Sequence, residues 1–102
     1  MKLKNLNDRI SPITGEDDPK VRDAMPTYKN ILLLTVGNVA SDNVTQTEAA
    51  YRLLTTLKAT DDKLDLEEGD VALLKLIVGQ NPLKFPVAIM GAVLEKIKDV
   101  DK

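Results

Sequence analysis

The chain of 102 residues contains no cysteine and no histidine. Those two zeros exclude a disulfide staple, a thiolate nucleophile, a Cys/His zinc site and an imidazole general base. Tryptophan is absent too, and the aromatics are Tyr28, Tyr51 and Phe85 alone. Leu, Val and Ile must therefore fill the interior, which points to packed helices. Neither sign of charge dominates: 14 basic residues face 16 acidic ones, for a formal net charge of −2. A domain that grips phosphate backbones carries a basic face, so nucleic acid is not the expected partner. No apolar run approaches the roughly 20 residues needed to cross a bilayer. The opening MKLKNLNDR lacks the apolar segment and small-residue cleavage site of a secretory signal. The expectation is a cytoplasmic protein with no membrane partner.

The remaining composition is that of a globular domain, 43% hydrophobic and 29% charged. A chain of this length can bury about two thirds of its unfolded surface in one core. The most apolar stretch is Tyr28 to Ala40, YKNILLLTVGNVA, where Ile31 to Leu34, Val36, Val39 and Ala40 occupy most of a helical circumference. A helix that apolar is normally buried on more than one side. It is read as the central helix, with Thr27 as its N-cap.

Residues 1 to 26 differ in character, with Pro12, Pro19 and Pro26 and the turn-rich Gly15-Glu16-Asp17-Asp18. Ile10 to Ile13 and Val21 to Met25 can pair around that centre, so an irregular arm or β-hairpin is expected within the same domain as residues 27–102. Thr45-Gln46-Thr47-Glu48 reads as a capping box with Val44 as staple, opening a second helix to about Ala59 with Ala50, Leu53, Leu54 and Leu57 on one face. A third helix runs from about Glu67 to Val78, with Val71, Leu74, Ile77 and Val78 inward and Gly79 as terminator. A fourth begins at about Pro86 and carries Val87, Ile89, Met90, Val93, Leu94 and Ile97. The fold expected is mostly α: a compact four-helix domain preceded by a short arm.

Few constellations carry chemistry. Asp61, Asp62, Asp65, Glu67, Glu68 and Asp70 invite a calcium loop, but a loop starting at Asp61 would have Leu66 at the turn glycine and Ala72 at the bidentate Glu. Acids at a helix N-terminus answer the macrodipole. A helix-turn-helix across GQNPLKF has too long a turn, and its second helix begins PVAIM rather than with polar and basic side chains. Lys2, Lys4 and Arg9 are interrupted by Asp8 and read as a solvated arm. Ser11 and Ser41 lie in turn-like contexts. No catalytic, cofactor-binding or metal-binding residue is assigned, and the chain is not read as an enzyme.

The order of segments is more telling than any site. PTYKNILL, VTQTEAAYRLLTTLK, LDLEEGDVALLKLIVG and PVAIMGAVLEKI, following a proline- and glycine-rich arm, resemble small proteins encoded by tailed bacteriophages and prophages. The chain departs from that pattern at Glu67, where a Ser or Thr cap is expected, and at Tyr51 to Leu54, where more charge is expected. The resemblance implies a setting in the cytoplasm of an infected or lysogenic host, or with the virion, and a protein partner: the chain itself, a phage protein or a host protein. The alternative is a small regulator that binds nucleic acid or a host regulator.

The apolar surplus agrees with a protein partner, because an edge helix buries only one of its faces. The last helix exceeds that allowance. Val87, Ile89, Met90, Val93 and Leu94 are the candidate interface, with Ile89 and the Ala88 to Ala92 surface lacking a partner in the chain. A homodimer or larger assembly is expected.

Overall fold

Thr27 begins the first helix: its hydroxyl accepts a hydrogen bond from the Asn30 amide at 3.2 Å, satisfying one of the free first-turn donors. The computed structural model describes residues 2–10 and 25–101 of the chain. In order, they form β1 (Lys2–Leu3), α1 (Tyr28–Gly37), α2 (Val44–Ala59), β2 (Leu64–Asp65), α3 (Glu68–Gln80), α4 (Val87–Lys98) and a 3-10 turn at Asp99–Asp101. The described residues are mostly α, with four helices, and α1 and α3 each touch the other three. The inward face of α1 is Ile31, Leu32, Thr35 and Val36, whereas Leu34 is half exposed. Thr35 is fully buried, and its hydroxyl is satisfied by donating to the Ile31 carbonyl at 2.7 Å.

Of the two ends that the Gly37-Asn38 pair allows, α1 takes the earlier and stops at Gly37: the Asn38 side chain donates to the Leu34 carbonyl while its backbone amide bonds Thr35. Three boundaries differ from the sequence reading. α2 is capped by Asn43, not Thr45: Asn43 Oδ1 accepts from the Gln46 amide at 3.1 Å, which places Thr45 inside the first turn. α3 runs through Gly79 and stops at Asn81, which takes the left-handed conformation (φ 48°) and donates its amide to the Ile77 and Val78 carbonyls. Pro86 stands one position before α4, as its N-cap. At Glu67 the reciprocal half of a cap is present, with Asp70 Oδ2 accepting from the Glu67 amide at 3.2 Å.

The expected inward stripes are in place, except that Leu54 of α2 is only half-buried. Ala50, Leu53 and Leu57 of α2 are buried, as are Val71, Leu74, Ile77 and Val78 of α3 and Met90, Val93 and Ile97 of α4.

The arm is built differently from a free-standing hairpin. β1 pairs antiparallel with β2 in the register Lys2↔Asp65 and Leu3↔Leu64. Beyond it, Asn5 turns the chain (φ 60°). The Leu6 amide donates to the Asp62 carbonyl, and the Ile10 amide to that of Pro26. Asn7 ties the same strap down, its amide donating to Asp62 Oδ1 at 3.0 Å and its side-chain amide to Asp61 Oδ1 at 3.2 Å. Leu3, Leu6 and Ile10 are at most 1% exposed and belong to the same core as the helices. Burying such side chains stabilises by about 1.5–3 kcal/mol each. The proposed pairing of Ile10 to Ile13 with Val21 to Met25 lies largely outside the described residues. At its mouth, Arg9 bridges Thr27 and the Arg9 guanidinium donates to the Met25 carbonyl.

Candidate functional site

α4 is where the core leaves surface uncovered. Successive residues of a helix turn by about 100°, so Met90, Val93 and Ile97 on the buried side leave Ala88, Gly91, Ala92 and Glu95 on the opposite side. That outward face is small and apolar over its first two turns, where a surface helix ordinarily carries charge. It floors a half-open groove of about 1010 Å³ whose other wall is Lys2, Leu3, Lys4, Asn5 and Tyr28. Val87, at the mouth of the groove, is 87% exposed.

Two contacts shape the far wall. The Tyr28 amide donates to the Asp8 carbonyl, and the Lys96 ammonium stands 4.4 Å from the centre of the Tyr28 ring. A cation over an aromatic face is an attractive arrangement, which fixes the Lys96 stem along the wall. Burial, reinforced by the negative charge of Asp8, pushes the Tyr28 phenol above its ordinary value.

The five candidate interface residues separate on this geometry. Val87 is at the surface; Ile89 and Leu94 are half-buried against the core; Met90 and Val93 are inside it. Met90 and Val93 are thus corrected to core positions, because their three-residue spacing lays them along the seam that Ile97 continues. Ile89 is likewise held by the core, and the groove is met by the exposed Val87 with the half-buried Ala88, Gly91 and Ala92. The sequence already places Val87 among the candidates and leaves the Ala88 to Ala92 surface without a partner; it gives no sign of the arm that forms the groove's other wall.

Three acids of the connector have structural occupations: Asp61 and Asp62 hold Asn7, and Asp70 caps α3. Among the described residues no three carboxylates converge on a common point that would hold a metal ion, and no helix is long and apolar enough to cross a membrane. A second, smaller cleft of about 220 Å³ lies between the end of α1 and the start of α2, lined by Val36, Val39, Ala50, Leu54 and the exposed Tyr51. Comparison with protein-family models, curated proteins and solved structures finds no match for this chain.

Proposed function

We propose that the protein is a non-catalytic protein–protein interaction module that self-associates through the outward face of α4, of the small tailed-phage or prophage kind that its segment order resembles. The observation that supports this reading is the groove floored by Ala88, Gly91 and Ala92 with Val87 exposed at its mouth. A concave surface that pairs an uncovered apolar side chain with a floor of small residues is a natural place for a protein partner, and a symmetry mate is the commonest one. The setting that goes with the reading is the host cytoplasm or the assembling virion.

Sedimentation equilibrium tests the reading. The wild-type chain is expected to be dimeric or larger at micromolar concentration, and Val87→Asp to weaken association about ten-fold or more. Val87 is chosen over Ile89 because it has no core contact to lose, and an acid in the first turn suits the helix. A wild-type monomer at ~100 μM rejects the proposal.

A further inference from the structure

Four consecutive residues, Lys2, Leu3, Lys4 and Asn5, form one wall of the groove. Neighbouring side chains of a strand point to opposite faces, so a wall of consecutive residues runs along the edge of the strand. β1 pairs with β2 on one side, and among the described residues no strand lies on the other. The amide and carbonyl of Lys4 likewise make no backbone hydrogen bond among those residues. Unpaired backbone groups along an edge take up an extended chain as a further strand. We propose that the groove binds an extended peptide of a partner protein, added to β1 as a third strand over the floor of α4, with apolar and acidic side chains in alternation. This goes beyond self-association, and the two compete for the same floor.

The walls set the length and the chemistry of that peptide. Lys2 to Asn5 covers about 10 Å at the rise of a strand, and Ala88 to Glu95 covers about 10 Å at the rise of a helix. Both serve about four residues of extended chain. Asn5, turned left-handed, ends the edge. Side chains on the Leu3 side of the added strand point inward, as the buried Leu3 does, and meet a floor where even a methyl group placed on Gly91 would touch no atom within 4 Å outside its own helix. Apolar side chains suit that space. Those on the other side stand beside the exposed Lys2 and Lys4, and opposite charges on neighbouring strands attract. β2 already follows this rule, with Asp65 opposite Lys2. An edge this short and flanked by lysines resists indiscriminate sheet growth, so the floor must supply the rest of the hold.

The test is a titration with a six-residue peptide of alternating glutamate and valine. Tyr28 lines the groove and the peptide has no aromatic residue, so the protein's own tyrosine fluorescence reports occupancy. With the protein at about 0.2 μM, below the range expected for self-association, saturable binding should appear before ~1 mM peptide. The same sequence with every backbone amide N-methylated cannot donate to an edge, and lysine in place of glutamate meets like charge; each should bind about ten-fold or more weakly. Gly91→Leu puts a side chain into the open floor and should weaken binding about ten-fold or more, with its far-UV circular dichroism still helical. No saturation by ~1 mM, or a methylated or lysine peptide that binds as well, overturns the proposal. So does undiminished binding by a folded Gly91→Leu; the peptide comparisons need no variant and decide alone should it fail to fold. Sedimentation of the wild type without peptide reads self-association separately, so each reading fails on its own.

Discussion

At the scale of the residue, the caps show how closely local chemistry is read and misread. Thr45 and Glu48 have the sequence of a capping box, yet Asn43, two positions earlier, holds the Gln46 amide. Ser41 donates to Gln46 Oε1 at 2.8 Å, and the Thr47 hydroxyl donates to the Asn43 carbonyl, so the neighbouring polar groups support the earlier start. Asn is as good a cap as Thr or better, and the earlier start adds helical turn. Asn43→Ala should therefore cost about 1 kcal/mol of stability, while Thr45→Ala should stay within about 0.5 kcal/mol of wild type. Urea denaturation of the two variants measures both, and equal losses would put the cap back at Thr45.

At the scale of the element, the connection between α3 and α4 depends on one side chain. Asn81 stands left-handed, its Oδ1 accepts from the Phe85 amide and its Nδ2 donates to the Phe85 carbonyl, both at 2.8 Å. Asparagine tolerates that conformation better than other non-glycine residues and here also closes the loop. Asn81→Ala should lower stability by about 1–3 kcal/mol, with Asn81→Gly recovering the backbone part but not the hydrogen bonds. Thermal or chemical unfolding of the pair separates the two contributions. Helices were legible from sequence because each repeats an apolar residue at helical spacing, as Val71, Leu74, Ile77 and Val78 do. Their ends were less so: Gly79 and Asn81 are both accepted terminators, and the choice between them rests on Phe85, four residues further on, which no local rule weighs.

At the scale of the molecule, helices and arm share one core. Leu3, Leu6 and Ile10 were not legible as core because their contacts are distant: the strand that receives β1 is a two-residue segment between α2 and α3, too short to announce itself. The groove was legible only as a surplus of apolar faces on α4. Its second wall is again this arm, placed by pairing rather than by periodicity. A shared core implies shared unfolding. The amides of Leu6 and Ile10, bonded to Asp62 and Pro26, should exchange with solvent as slowly as those in the middle of α1, by native-state hydrogen exchange. Faster exchange in the arm would make it a separate unit.

That arm also sets an order of events. Asn7 and Asp62 are 55 positions apart, so the strap is synthesised well before the segment that receives it. At about 5–20 residues per second, a few seconds pass between synthesis of the strap and of Asp62 and β2, while its partners at Pro26, Tyr28 and Lys29 are made sooner. Closing so long a loop carries an entropic cost that grows only slowly with length, about 0.6 kcal/mol per doubling, so the delay is kinetic rather than thermodynamic. The strap is thus sheltered in two stages, first against the start of α1 and then, once β2 exists, by its strand partner.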